Sequence, residues 1–376
     1  MKGFAVVVNG FEKIAESEFS GFGASSLLQG DGIVSFEAKN LDALCRIAYS
    51  SQSASRVCVF IGEFAVGKSL SSAVASASKS MGGFSMGDWS DFPNFSLECE
   101  RSGTHYFTSQ DFVGGLAEFL SKESGRKLDF RSKFRLFSVI SGKNGFLGID
   151  LSGFDLSRRE YRIFGHASDL KSTAAYSLVR LSGFSRKGSL LDPFSRSGSI
   201  AIEAALFASG ISPNFYRKES FAFLSLKNFS GAEKLFAAAD RASPASPKIL
   251  NFSPSMAYLR SAEKNAKIAG VNKAISFSRI DSEFVEFKFE RGTVGIIVSY
   301  PPMVSKAHQE ASIRKLYASF FKQASFILSK SGRIVLASRD ESLISEVAAE
   351  NSFVLSGSIP FSMGNESRAA LILVRK

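Results

Sequence analysis

Cysteine is nearly missing from this chain of 376 residues: Cys45, Cys58 and Cys99 are the whole supply, an odd number with no CxxC pair. A disulfide framework or a cysteine zinc site needs paired spacing, so neither is expected, and the three read as small buried apolar residues in a reducing cytosol. Histidine is just as sparse. His105, His166 and His308 have no partner at i,i+4 and no acidic motif nearby, so no metal-ligand set is expected. Long apolar runs are missing too: none approaches the roughly 20 residues that span a bilayer. The short run Phe4 to Val8 stops at Asn9-Gly10, which is too brief for a signal peptide and predicts a first strand in a cytoplasmic protein. No GxGxxG follows a strand-like segment, which leaves a dinucleotide-dependent dehydrogenase without support.

What the chain has in excess is positive charge. A net charge of +11 and a pI near 9.5 favour polyanionic partners. Taken alone, that charge is equally well explained by a solvated basic surface. Its distribution is more informative: ten basic residues (Lys122, Arg126, Lys127, Arg131, Lys133, Arg135, Lys143, Arg158, Arg159, Arg162) face five acids between Lys122 and Arg162. Such a block meets phosphates, with an affinity that falls steeply with salt. Phe130, Phe134 and Phe137 interrupt it, but in a chain with 37 phenylalanines most are core.

Length predicts two or three domains at about 150 residues each. Residues 1–65 alternate strand and helix patterns (GFAVVVN, EKIAESEFSGF, DGIVSFEA, LDALCRIAYSSQSA, RVCVFIGEF), which predicts a small α+β unit of ferredoxin-like type. A serine-rich stretch follows, helical in its first half and broken at Gly82-Gly83, and a boundary is expected there. Residues 66–164 then read as a second α+β unit: FSLECERSG, a helix through LAEFLSKESG, and the hairpin KFRLFSVISGKNGFLGIDLSG. From 165 to 376, short apolar strands alternate with amphipathic helices and end in FVLSGSIPFSMGN and AALILVRK. That pattern predicts a parallel α/β sheet covered on both faces, closed by an antiparallel hairpin.

The first chemical motif is LLDPFSRSGSIAIEAALF, a strand ending in Asp192, a turn, and a helix carrying Glu203. Ligands of such folds sit at the carboxyl ends of the strands, against a helix N-terminus. At this motif the chain resembles the THUMP-domain class I RNA methyltransferases, in which the turn usually reads DPFCGSGT. The helix LKSTAAYSLVRLSGF, the segment ERSGTHYFTSQD (against RSGxHxFxS) and GIDLSGFDLSRREYR carry the resemblance over nearly the whole chain. The subgroup most resembled is the archaeal tRNA guanine-N2-methyltransferases, with the bacterial rRNA guanine-N2-methyltransferases second.

The resemblance implies a ferredoxin-like plus THUMP module in front of a Rossmann-like methyltransferase sheet, S-adenosyl-L-methionine (SAM) as cofactor, and a structured RNA, tRNA first, as partner. It places cofactor contacts at Leu170, Lys171, Thr173, Asp192, Phe194, Ser195, Arg196, Ser197, Gly198 and Ser199. The ribose-gripping acid falls on Ser253 and the adenine-side acid on Asp281. The catalytic motif falls on Tyr300, Pro301, Pro302 and Met303, where the family usually has NPPY or NLPY. RNA contacts fall on Arg101, Ser102, Gly103, Lys133, Arg135, Arg158, Arg159 and Arg162.

Four of these positions depart from the family pattern. Arg196 replaces a turn glycine, Ser253 a carboxylate, Tyr300 the amide and Met303 the stacking aromatic. The departures set a second expectation beside guanine-N2 methylation: an RNA-binding pseudoenzyme with a non-catalytic methyltransferase fold. Read without the resemblance, the serines are ordinary turn residues, Asp192 caps the next helix, and the arginines form a solvated face.

Overall fold

The computed structural model describes residues 1–166, 168–240, 247–364 and 366–376. Two compact units emerge: residues 1–156 with 214–239, and residues 157–213 with 240–376.

The front unit runs β1 (Lys2–Val7), α1 (Glu12–Gly21), β2 (Ser25–Gly30), β3 (Ile33–Glu37), α2 (Leu41–Ser50) and β4 (Ala54–Ala65). It continues with α3 (Leu70–Ser80), β5 (Asn94–Ser102), α4 (Ser109–Ser124), β6 (Lys127–Leu128), β7 (Arg135–Ser141) and β8 (Asn144–Asp150). All eight strands form one sheet in the order β2-β3-β1-β4-β8-β7-β5-β6. The boundary expected at residue 65 is therefore corrected: β4 pairs along its length with β8, from Cys58↔Asp150 to Ala65↔Asn144, so the two expected front domains share one sheet. The serine-rich stretch is helical because Ser69 and Ser72 form a capping box at the start of α3. Thr108 and Asp111 do the same for α4, which ends at Gly125 with φ 70°. Strand β2 was not expected from its sequence, SSLLQG, which has little alternation.

The back unit begins with α5 (Ser172–Leu181), β9 (Ser189–Asp192) and α6 (Ser199–Ser209). The chain then supplies α7 (Ala232–Ala239) to the front unit, so a single domain from 165 to 376 is corrected as well. The aromatic residues of this excursion account for its placement. Phe221, Phe223 and Phe229 are buried in the front core, and Phe221 packs edge-on against Tyr49 at 5.7 Å. The back unit resumes with β10 (Lys248–Ser253), α8 (Met256–Ile268), β11 (Ile275–Arg279), β12 (Val294–Ser299) and α9 (Glu310–Ile327). It closes with β13 (Leu328–Ser338), α10 (Glu341–Glu350), β14 (Phe353–Met363) and β15 (Glu366–Arg375).

The back sheet has the order β11-β10-β9-β12-β13-β15-β14, parallel up to β13, with β15 antiparallel to both its neighbours. This is the expected Rossmann-like sheet with its terminal hairpin; Asn365, at the hairpin turn, lies outside the described residues. The order reverses at β9, whose neighbours are β10 and β12, so a crevice opens beyond the carboxyl ends of these three strands. Helix α6 is buried on all sides, and its one acid, Glu203, is fully inaccessible. No described helix is long and apolar enough to cross a membrane.

Candidate functional site

Asp192 closes β9 with its carboxylate buried, where it accepts the N–H of Phe194 at 3.2 Å and the hydroxyl of Ser299 from the end of β12. Burial pushes this carboxyl up to about 7, against the opposing pull of those two hydrogen bonds and of the Arg196 cation. The turn that follows is tied to the neighbouring strand. Ser195 donates its N–H to the carbonyl of Phe252 at 3.0 Å and its hydroxyl to Asn251 Oδ1 at 2.6 Å. Ser197 N–H reaches Asp169 at 3.4 Å, and the Ser197 carbonyl accepts from Asn265 Nδ2 at 3.1 Å. Gly198 then starts α6 at φ 83°, where an added Cβ would stand 2.8 Å from that of Ala262. Only glycine satisfies both the backbone and the close helix contact.

Across the crevice, the loop after β12 is braced on both sides. The Pro302 carbonyl accepts the Tyr317 hydroxyl at 2.7 Å, and Val304 N–H donates to Asp340 at 2.7 Å. Tyr300 is buried between two arginines. Arg196 donates Nη1 to the Tyr300 carbonyl at 3.2 Å and holds its guanidinium 5.2 Å from the ring centroid. Arg368, from β15, donates Nε to the Tyr300 hydroxyl at 3.0 Å, with its guanidinium 5.7 Å from the same ring.

These residues enclose a cavity of only about 20 Å³, bounded by Asp169, Leu170, Asp192, Arg196, Gly198 and Tyr300 among others. A pocket that holds a ligand the size of SAM measures roughly 300–1,000 Å³. Arg196 lines this cavity with its guanidinium bonded to the Tyr300 carbonyl, and the turn after β9 at the start of α6 is where the methyl donor would be held.

The structure thus gathers Leu170, Asp192, Phe194, Ser195, Arg196, Ser197, Gly198, Ser199 and Tyr300 around one cavity. It treats the other expected cofactor residues differently. Lys171 is exposed ahead of α5, while Thr173 is buried within that helix and gives its carbonyl to Ser177 at 2.9 Å. Ser253 is 1% exposed and accepts the N–H of Ser255 at 3.4 Å, so its hydroxyl does not bound the cavity. Asp281 caps the tight helical turn Ser282–Lys288 through Glu283 N–H at 3.3 Å, a structural use of that acid. In the quartet where the catalytic motif was expected, Pro301 is buried while Pro302 and Met303 are partly exposed.

Among the expected RNA contacts, Arg159 requires correction. Its side chain is fully buried and pairs with Glu203 at 3.0 Å, while Tyr161 also donates its hydroxyl to Glu203 at 2.9 Å. A charge in the centre of an apolar helix demands such a partner, so Arg159 serves the core and no phosphate reaches it. Arg158 is exposed, and Arg162 is largely covered and lies 4.0 Å from Asp169. In the front unit, Arg101 bonds His105 at 2.9 Å, Ser102 bonds Ser141 at 2.9 Å, and Gly103 turns the chain at φ 92°. Together they carry a loop that leaves Tyr106 90% exposed. Lys133 is exposed, as are Lys122, Lys127, Arg131 and Lys143. Arg135 lines a cleft of about 530 Å³ together with Phe130, Glu98 and Asp150. Phe134 and Phe137 are core.

Sequence reasoning missed Asp169, Ser299, Tyr106 and Arg368. The first two stand beside recognised motifs and Tyr106 inside one, so a residue-by-residue reading of the flanks could have found them. Arg368 lies 68 residues from Tyr300 and gives no local signal. No metal-ligand cluster occurs among the described residues.

Comparison with known proteins places these features. The chain is 28% identical over 358 residues to a tRNA (guanine(6)-N2)-methyltransferase of Methanocaldococcus jannaschii, covering 92% of each. It is 26% identical to the ribosomal RNA large subunit methyltransferase K/L of Aliivibrio fischeri over 97% of this chain but 53% of that one, so it spans about half the length of that relative. In three dimensions it superposes on a possible methylase from Clostridium difficile (TM-score 0.83, 19% identity, 100% of this chain and 98% of that one). A putative methyltransferase solved with SAH superposes with a TM-score of 0.82 at 17% identity, over 100% of this chain and 98% of that one. The methyl donor implied for this family is S-adenosyl-L-methionine. The RMKL-like methyltransferase domain matches residues 159–358, more than half of the chain, and the chain belongs to that family.

Proposed function

We propose that this protein methylates RNA at the exocyclic N2 amine of a guanine, with tRNA as the substrate, the front unit as a THUMP-type RNA grip, and the cytoplasm as its location. The observation that carries the reading is the main-chain carbonyl of Tyr300, held beside Asp192 at the carboxyl edge of the back sheet. A carbonyl at that place accepts a hydrogen bond from a target amine and orients its lone pair. The chain presenting it is matched along 92% of its length by a protein named for guanine-N2 methylation of tRNA. Exposed Lys122, Lys127, Arg131, Lys133 and Lys143 supply phosphate attraction, and Tyr106 supplies a stacking face. Incubation with labelled SAM and unmodified tRNA transcripts, followed by nucleoside analysis, should yield N2-methylguanosine. No incorporation across a panel of tRNAs overturns the proposal.

One observation favours a second reading, RNA binding without turnover: Arg196 lines the small cavity and already donates to the Tyr300 carbonyl. Calorimetry separates the two. Micromolar SAM binding by the unaltered chain refutes the second reading, whereas binding that emerges only in Arg196→Gly supports it.

A further inference from the structure

The two guanidiniums on Tyr300 form a cluster that the methyl-transfer reading does not use. Arg196 comes from the turn after β9, and Arg368 from the start of β15, which runs antiparallel to the end of β13 at Ser338↔Ala369. Both therefore reach the ligand-facing edge of the sheet, and both point at one phenol. Arg368 is the more telling. Its side chain is only 9% exposed; Nε is bonded to Tyr300, Nη2 to the exposed Glu366, and Nη1 is buried with no hydrogen-bond partner. A cationic N–H shut away from water without an acceptor is costly, and such groups in native proteins point to a missing partner.

The charges around it do not balance. Two permanent cations converge on Tyr300. The carboxylates at hand are Glu366, 64% exposed, Asp169, which already faces Arg162 at 4.0 Å, and Asp192, whose burial raises it to about 7 and so leaves it only partly ionised near neutrality. Arg196 already spends one N–H on a neutral carbonyl. A planar pair of guanidiniums with spare donors suits a phosphate, which takes several charge-assisted hydrogen bonds at once.

We propose that Arg368 and Arg196 form a phosphate subsite that takes the 5′-phosphate of a nucleotide entering the crevice. The idea rests on the nucleic-acid reading of this crevice, but its test does not depend on methyl transfer. Occupation of the subsite draws Arg196 toward the anion and frees the Tyr300 carbonyl it now covers.

The experiment is titration of the full chain with guanosine, guanosine 5′-monophosphate and inorganic phosphate, each without SAM. The monophosphate is expected to bind at least tenfold more tightly than the nucleoside, with inorganic phosphate weaker than the monophosphate. Arg368→Gln should collapse the gap between nucleotide and nucleoside, and Arg196→Gln should narrow it. Arg314→Gln serves as a control, since Arg314 pairs with Glu346 and Glu350 on the surface of α9 and α10 and should leave the gap intact. A circular dichroism melt of each variant confirms that it is folded. Should Arg368→Gln unfold the chain, Arg368→Lys, which keeps the charge but loses the fork, should reduce the gap instead. Equal affinity for nucleoside and nucleotide, no binding of either, a gap untouched by the arginine variants, or inorganic phosphate binding as well as the nucleotide each overturns the subsite. A phosphate gap without N2-methylguanosine formation sinks the methylation reading alone; methylation without the gap sinks the subsite alone.

Discussion

Asp192 offers a quantitative test of how the back unit is built. Burial raises its folded-state carboxyl from 3.8 to about 7. The folded chain thus holds this proton more tightly than the unfolded chain does, and the stability this confers is fully present below about 4 and lost as pH climbs through about 7. At roughly 1.4 kcal/mol per pH unit, the penalty relative to a permanently neutral side chain is about 2 kcal/mol at pH 5 and about 4 kcal/mol at pH 8. Asp192→Asn removes the titration but keeps an oxygen for Phe194 N–H and the Ser299 hydroxyl. The variant's advantage over the unaltered protein should therefore grow by about 2–3 kcal/mol between pH 5 and pH 8. Urea unfolding followed by far-UV circular dichroism at several pH values measures it. Fluorescence of the single tryptophan does not, because Trp89 belongs to the front unit. A stability difference that is flat with pH would show that Asp192 stays ionised in the fold and would refute the burial argument.

Other consequences follow from the same geometry. Arg159→Leu removes the cation paired with Glu203 inside α6 and should cost about 3–5 kcal/mol, read as a lower denaturation midpoint; the double change with Glu203→Leu should recover much of it. Gly198→Ala meets a backbone at φ 83° and the Ala262 methyl, and should destabilise the back unit by at least about 1–2 kcal/mol in the same assay. Tyr106→Ala should weaken single-stranded RNA binding by about 1–3 kcal/mol in filter-binding or anisotropy measurements, with little change in melting temperature. Lys133→Gln should lower the slope of log affinity against log salt by close to one, and an unchanged slope would remove it from the RNA face.

Much of the back sheet was legible because its strands are short apolar runs separated by helices with 3.6-residue periodicity, and these local patterns need no tertiary information. The turn from Asp192 to Ser199 was legible for a similar reason: the motif occupies consecutive residues, and the cavity gathers them together with Leu170 and Tyr300. Strand β2 and helix α10 were not legible in this way: the first lacks alternation, and the second is a ten-residue stretch between two strongly patterned strands.

The sequence alone determined the basic balance, the alternation of elements, and the substitution of an arginine, a serine, a tyrosine and a methionine at four expected functional positions. Only the tertiary structure decided what those substitutions do. Arg196 and Tyr300 stand 104 positions apart, yet share a hydrogen bond, and Arg368 completes the cluster from the far end of the chain. Tertiary structure also moved Arg159 from an expected RNA face into the core, since the cost of burying Glu203 without a countercharge exceeds anything a local pattern can reveal. It carried residues 214–239 into the front unit, where their aromatic rings find apolar surface. Periodicity records which face of an element is apolar. The partner that covers that face is set by the packing of the whole chain.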